Sequence, residues 1–305
     1  MLKNKQLMAD SMLMFVTLSW GVSYYMMDLC LQEMGTFTLN AYRFGFAFIV
    51  AYAFFNKKMK NISKTTLIYG AIISLVLTIM YISATEAVKH TTLTNIGFLI
   101  ALSVIITPAL EFAISKKRPS NKLIIVVFIC FIGIALMTLN EDFSVNRETL
   151  FGNILCLVTA FTCSVQLVLV GSAVKKEKVN ASQLGVMLLG FTGIYFIILA
   201  FVFETPKLPV AGTVWFSVIF LAVLCTGLAY VAQAVAQQYT TASHAGVIFS
   251  LEPVFAAIAA YFLAGEVLNG RGYVGAALML ISILVMEINV EKIFKRKREI
   301  NSNGK

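Results

Sequence analysis

The sequence predicts an all-α membrane protein with ten transmembrane helices arranged as two inverted five-helix repeats. Composition, ten long apolar stretches and an internal repeat support this prediction. Hydrophobic residues make up 59% of the 305 residues and charged residues only 13%. Soluble domains are roughly 45–50% apolar and about 25% charged. This excess of apolar residues requires lipid as the solvent.

The ten apolar stretches are each close to the length of about 20 residues that an α-helix needs to cross a bilayer. They are predicted at 9–29, 36–55, 67–88, 92–115, 122–140, 151–172, 183–203, 213–237, 243–264 and 271–290. The first stretch lacks a small-residue cleavage site and nine more follow it, so it is expected to be a retained helix. The five cysteines form no C-x-x-C pair, which favours packing over disulfide or zinc roles.

The positive charge is distributed as in a membrane protein. With the N-terminus inside, 19 of the 24 Lys and Arg residues fall in the inner segments, four fall in the outer segments, and Arg43 lies within a span. The positive-inside rule therefore predicts a multi-pass protein of the cell (inner) membrane with both termini in the cytoplasm. Residues 291–305 are the predicted basic tail. The positive net charge is therefore expected to reflect interaction with the lipid bilayer and not binding of nucleic acid.

An internal repeat relates the two halves of the chain. At an offset of 149, residues 81–102 align with residues 230–251 without gaps and with six identities. The predicted repeats span 9–140 and 151–290. Because five helices is an odd number, the second copy enters the membrane from the opposite face, as in transporters with inverted repeats. Pro108 and Pro253, in the fourth and ninth spans, are expected to kink their helices, for packing or to free a carbonyl for a ligand.

Motifs in both halves resemble a known family. They are the Ser-Leu-Glu-Pro stretch at Ser250–Pro253, the Gly265-Glu266 pair, Gly272 and Gly275, Trp20-Gly21, and Arg43-Phe44. Together they resemble the EamA family of the drug/metabolite transporter superfamily over nearly the whole chain. The first half departs from the pattern with Lys116-Lys117-Arg118 in place of Gly265-Glu266. The resemblance implies a ten-helix bundle that exports small solutes through a cavity lined by helices one, three, four, six, eight and nine.

Glu252 is the leading candidate for the mechanism. It is expected about nine residues, roughly 13 Å, into its helix and therefore well inside the bilayer. Charged groups at that depth are costly and usually face protein or water. Two interpretations of Glu252 follow. It binds a cationic or amino group of the substrate, or a proton that drives transport; alternatively, it forms a hydrogen bond that packs two helices together. Arg43, Glu86 and Glu111 are interpreted first as structural.

The remaining candidates supply aromatic and polar surface on the helices that the resemblance assigns to the cavity. The predicted substrate-binding residues are Trp20, Tyr24, Tyr81, Asn95, Phe98, Tyr230, Gln233, His244, Phe249 and Glu252. Packing remains the alternative for each aromatic residue. His90 and His244, the two histidines, are interpreted first as capping or solvated residues close to helix ends.

The predicted function is secondary transport, in the export direction, of a small metabolite such as an amino acid or related compound by alternating access. The chain has no G-x-x-x-x-G-K-[ST] loop for ATP, so an ion or substrate gradient, with protons as the candidate coupling ion, supplies the energy. Multidrug or xenobiotic efflux and a receptor or structural role are the alternatives. An enzyme, a cofactor and a metal site are not expected. Small residues spaced by four make a homodimer compatible with the sequence.

Overall fold

The structure is a computed structural model that describes residues 2–115, 146–249 and 251–287, together with isolated positions between 125 and 136. Its helices in the first half are α1 (Leu2–Leu31), α2 (Thr36–Phe55), α3 (Lys64–Ala87), α4 (Leu93–Ile100) and α5 (Ser103–Ser115). Those in the second half are α6 (Arg147–Ala173), α7 (Ala181–Phe203), α8 (Gly212–Ala222), α9 (Ala229–Ala236), α10 (Ala242–Phe249), α11 (Glu252–Ala259) and α12 (Gly270–Glu287). The fifth predicted span and the basic tail lie outside the described residues, apart from those isolated positions.

The all-helical prediction is confirmed for the part of the chain that is described, which contains no strand. Among the described residues, six helical stretches, counted across short interruptions, are long and apolar enough to cross a membrane: Thr36–Lys58, Lys64–Ala87, Leu93–Ala113, Arg147–Ala173, Ala181–Phe203 and Gly212–Ala236. Large apolar side chains such as Phe54, Ile68 and Phe201 are exposed on the outside of the bundle. This surface suits a lipid environment. The count of ten spans stays a prediction.

The fourth and ninth predicted spans are each broken into two helices. α4 ends at Ile100 and α5 begins at Ser103, whereas α10 ends at Phe249 and α11 begins at Glu252. These four bounds, and the starts of α4 and α10, are related by the offset of 149 at which the two halves align. Pro253 lies in the first turn of α11, where a missing N–H costs nothing. Pro108 lies inside α5, after the first break.

A π-helical segment, Val223–Leu228, interrupts the eighth predicted span between α8 and α9. A second one, Ala260–Ala264, follows α11. It ends at Gly265, whose φ of 68° lies in the left-handed region that glycine adopts without steric cost. π-helical turns change the backbone hydrogen bonding, so carbonyl groups there become available to other partners.

Helix packing brings the centre of the bundle together from both halves. α1 contacts α8, α9, α10 and α11, while α3 packs along α6 and α7, and α2 pairs with α7. The bundle has two ends. The Glu204 end is where α1, α3 and α7 finish, and the Lys178 end is where α2 and α6 finish.

Candidate functional site

A cavity of about 40 Å³ lies at the centre of the bundle. Its walls come from α1, α2, α3, α4, α6 and α11: Trp20, Ser23, Tyr24, Met27, Arg43, Met80, Tyr81, Ala84, Ile100, Thr159, Cys163 and Glu252. The volume is enough for water but far below the roughly 300–1,000 Å³ of small-molecule sites. In this conformation the walls must move apart before a metabolite can bind.

Glu252 lines the cavity directly after the break in the ninth span. As the first residue of α11, it lies at the positive end of the helix dipole, which stabilises a carboxylate. The residue is only 6% exposed, and its Oε1 accepts a hydrogen bond from the Tyr24 hydroxyl of α1. A buried acidic group thus lines the cavity at the start of a helix.

Arg43, on α2, also lines the cavity and is 1% exposed. Its Nε donates to Thr226 Oγ1 at 2.5 Å and an Nη donates to the Tyr81 hydroxyl at 3.4 Å. The guanidinium lies 4.7 Å from the centre of the Tyr81 ring, within the range of a cation–π interaction. No ion pair joins Arg43 to a carboxylate within the described ranges. Arg43 is thus a buried cation held by neutral groups.

Aromatic residues from both halves of the chain meet beside the cavity. The Tyr230 hydroxyl donates to the Tyr81 hydroxyl at 3.1 Å. Trp20 packs against Tyr230 and Phe249, with ring centroids 5.7 and 4.9 Å apart. The Trp20 indole donates to the carbonyl of Cys225, in the first π-helical segment, at 2.8 Å. The same segment contains Thr226, the partner of Arg43, so it fixes two residues of the cavity.

The structure brings four of the ten candidates into the cavity wall: Trp20, Tyr24, Tyr81 and Glu252. Tyr230 and Phe249 are buried against this group without lining the cavity. The remaining candidates lie elsewhere. Asn95 bonds Thr91 near the start of α4, Phe98 is buried in α4, Gln233 joins a buried glutamine cluster, and His244 pairs with Asp10.

Arg43 was not among the site residues predicted from the sequence. Its position within a span was clear from the sequence, but a side chain that reaches outward to the membrane surface was an equally valid interpretation. Its partner Thr226 is 183 positions away in the chain. The polar wall residues Ser23 and Thr159 were missed as well, because hydroxyl residues are frequent in membrane helices and no sequence signal separates these two from the rest.

Carboxylates tie helix starts together at the Glu204 end. Glu204 accepts from the backbone N–H groups of Phe37 and Thr38 at 3.0 and 2.8 Å. Glu266, directly after Gly265, accepts from the N–H groups of Leu93 and Thr94 at 2.8 and 3.0 Å. Both carboxylates satisfy N–H groups that a helix start leaves free. Glu266 thereby joins the end of the ninth span to the start of the fourth.

At the other side of the bundle, polar side chains connect α1 to the start of α10. His244 Nε2 lies 3.1 Å from Asp10 Oδ1. Gln6 donates to the same carboxylate at 2.8 Å and to Thr240 Oγ1 at 3.4 Å. The two polar networks thus lie at opposite ends of the bundle.

Comparisons with known proteins agree with this architecture. The model of the EamA-like transporter family matches residues 7–139 and 150–288. An uncharacterized transporter from Archaeoglobus fulgidus is 26% identical over 287 residues, which cover 94% of this chain and 88% of the relative. A second uncharacterized transporter from the same organism is 26% identical over 261 residues, covering 84% and 89%.

A solved crystal structure is similar to this fold, with a TM-score of 0.69 at 15% sequence identity. The similarity covers 93% of this chain and 99% of that one, and at this identity it shows a shared fold alone. The family model covers most of the chain in two successive matches, and the matched relatives are transporters. The chain therefore belongs to the EamA-like transporter family, in the drug/metabolite transporter superfamily, and is a multi-pass membrane transporter of a small molecule.

Proposed function

We propose that this transporter exports a small zwitterionic metabolite of the amino-acid class across the cell membrane by alternating access. The observation that carries the proposal is a buried cation, Arg43, and a buried carboxylate, Glu252, in the wall of one cavity. Neither group is paired with the other or with another charged residue within the described residues. Burying a charge without a charged partner is costly, so each group favours a substrate group of opposite sign.

A zwitterion complements both groups at once. A carboxylate can accept two parallel hydrogen bonds from the planar Arg43 guanidinium, and an ammonium group can donate to the Glu252 carboxylate. Each charge of the substrate then has a partner of opposite sign in the cavity, which offsets part of the cost of removing it from water. The rings of Trp20 and Tyr81 provide apolar surface for the rest of the molecule.

The broken helices support alternating access. In transporters with inverted repeats, the substrate site lies near the bilayer midplane at discontinuous helices. Here both breaks lie at positions related by the repeat offset, and α11 starts with Glu252. Together with the distribution of Lys and Arg, this supports two inverted five-helix repeats with both termini in the cytoplasm and the Glu204 end outside. A proton that competes with the substrate ammonium for Glu252 is the proposed coupling ion.

Counterflow in proteoliposomes tests the proposal. Vesicles are loaded with a mixture of amino acids, and labelled amino acids are added one at a time. We expect at least one label to accumulate. An excess of the same compound should compete strongly, whereas its decarboxylated amine and its deaminated acid should each compete poorly, because each lacks one of the two charged groups.

Variants of the two charged residues sharpen the test. In Glu252→Gln the deaminated acid should gain relative to the amino acid, and in Arg43→Gln the decarboxylated amine should gain. Equal competition by lipophilic cations would favour xenobiotic efflux instead. No accumulation across the panel would contradict the proposed function and leave a receptor or structural role.

A further inference from the structure

A second group of buried polar side chains lies on the other side of the tyrosine pair from the cavity. Ala84, which lines the cavity, is one helical turn beyond Tyr81 on α3. Gln233 is one turn beyond Tyr230 on α9. Because α3 runs toward the Glu204 end and α9 runs away from it, the two turns lead in opposite directions from the Tyr81–Tyr230 hydrogen bond. Gln233 therefore lies on the path toward the Lys178 end.

Three glutamines form this group, which we call the glutamine site: Gln166 on α6, Gln233 on α9, and Gln237 directly after α9. They are 2%, 0% and 0% exposed. Gln233 Nε2 donates to Gln166 Oε1 at 3.1 Å and to Gln237 Oε1 at 3.3 Å. Gln237 Nε2 donates to the carbonyl of Leu167 at 3.1 Å. The three carboxamides thus hold one another in a fixed arrangement.

Two polar atoms of the glutamine site remain without a hydrogen-bond partner among the described residues. They are a donor, Gln166 Nε2, and an acceptor, Gln233 Oε1. A buried amide group without a partner costs free energy, and such groups call for an explanation because folded proteins seldom contain them. A molecule that offers both an acceptor and a donor would satisfy the two atoms together.

We propose that the glutamine site is a second binding site for the zwitterionic substrate, used on the way between the Lys178 end and the cavity. This inference rests on the proposed function. The Gln166 donor would bind the substrate carboxylate and the Gln233 acceptor would bind its ammonium group. Neutral amides attract charged groups less strongly than Arg43 and Glu252 do. The glutamine site is therefore the weaker of the two and releases its ligand readily to the cavity.

Access to the glutamine site is controlled by the polar network between α1 and α10. The Asp10–His244 contact and the two hydrogen bonds of Gln6 join α1 to the segment from Thr240 to His244. That segment follows Gln237 within a few residues. Separation of α1 from α10 would break these contacts and open a route from the Lys178 end to the glutamine site.

Transport in right-side-out and inside-out membrane vesicles tests the inference. The double variant Gln166→Met with Gln233→Met removes the two unpartnered atoms, together with the hydrogen bonds of Gln233 to Gln166 and Gln237, and keeps side chains of similar length. We expect the half-saturating concentration of the amino acid identified by counterflow to rise about five- to tenfold from the Lys178 end, as for the loss of one or two hydrogen bonds. From the Glu204 end it should change less than about twofold.

Gln238→Leu is the matched control, because Gln238 is exposed and its side chain donates to the Val235 carbonyl of its own segment. It should transport like the wild type from both sides. If the wild type transports and the double variant is unchanged from both sides, the glutamines are structural and the inference is wrong. If the wild type transports no amino acid, the proposed function itself fails.

Labelling tests the same site without a substrate. Gln233→Cys is introduced into a chain whose five native cysteines are replaced by serine. A membrane-impermeant methanethiosulfonate should modify this cysteine from the Lys178 end and not from the Glu204 end. Modification from neither end would contradict a binding site on the path, whatever the transport result.

Discussion

The two broken helices of the bundle share their backbone design and differ in their chemistry. α4 and α10 have the same length and positions related by the offset of 149, and α5 and α11 begin at positions related by the same offset. At the first break α5 begins with Ser103, whose carbonyl accepts from Ser164 of α6 at 3.1 Å. At the equivalent position α11 begins with Glu252, which lines the cavity. Only the second break carries an ionisable group.

Packing of the two broken helices on each other differs in the same way. A Cβ added at Gly97 would lie 2.7 Å from Ala256 Cβ and 3.3 Å from Pro253 Cα. At Gly246, the equivalent glycine, the corresponding neighbours are Val104 Cα at 3.8 Å and Thr107 Oγ1 at 3.9 Å. The crossing near the Glu204 end is thus closer than the crossing near the Lys178 end. The two halves therefore share the backbone arrangement, although the charged residue is present only at the second break and the close helix contact only at Gly97.

The largest expected difference is between Glu252→Gln and Ser103→Ala. Loss of the carboxylate removes the charge that binds the substrate ammonium, and charge-assisted hydrogen bonds contribute about 1.5–3 kcal/mol. We expect counterflow by Glu252→Gln to fall at least about tenfold, whereas Ser103→Ala stays within about twofold because its structural contact uses the backbone carbonyl. Similar losses in both variants would mean that the breaks act only as hinges.

A smaller effect is expected when each glycine of the crossing is replaced by alanine. Gly97→Ala forces α4 away from α11, and overpacking typically costs about 1–3 kcal/mol. Gly246→Ala places its methyl group at ordinary contact distance and should leave the stability unchanged. Thermal unfolding of both purified variants in one detergent measures the difference. Equal unfolding midpoints for the two variants would show that both helix crossings accommodate an added methyl group equally well.

Glu266→Gln is expected to have a moderate effect on stability. Loss of the charge weakens the hydrogen bonds to Leu93 and Thr94 at the start of α4, and loss of a helix cap costs about 0.5–2 kcal/mol. Thr92 still accepts from Asn95 N–H at 3.2 Å, so the helix keeps one cap. The exposed Glu177, changed to Gln, is the control. Unfolding temperatures that do not differ between the two variants would contradict this role.

The smallest effect is expected from His244→Gln at the start of α10. The His244 and Asp10 side chains are 41% and 35% exposed, and surface ion pairs contribute about 0–1 kcal/mol. Stability should therefore stay within about 1 kcal/mol of the wild type. A loss as large as that of Gly97→Ala would indicate that the Lys178 end is held as firmly as the Glu204 end.

Much of the helical architecture was predictable from the sequence because its signal is local. The predicted span 36–55 coincides with α2, and 183–203 differs from α7 by two residues at its start. Long apolar stretches report helices directly, since a membrane requires every backbone group to be bonded within its own segment. The number of ten transmembrane spans, the inverted arrangement of the two repeats and the repeat boundaries stay predictions.

The breaks and the cavity were less predictable because they depend on distant residues. The sequence predicted kinks at the prolines, yet the first break falls at 101–102, six residues before Pro108. Arg43 reaches the cavity through contacts with Tyr81 and Thr226, on two other helices. Glu252 and Tyr24 are 228 positions apart. The hydrophobic pattern of a single segment carries no information on contacts with distant segments. The sequence therefore identified candidate residues but not which of them come together in the cavity.

The hydrogen bond between Tyr81 and Tyr230 joins a residue to its own counterpart in the other copy, 149 positions away. Under the proposed inverted arrangement, two equivalent residues can touch only close to the axis that relates the copies. In a dimer of separate single copies, one substitution would alter both hydroxyls at that axis together. Because this chain joins the copies covalently, Tyr81→Phe and Tyr230→Phe are distinct changes, and natural variation can shape the two sides of the axis independently.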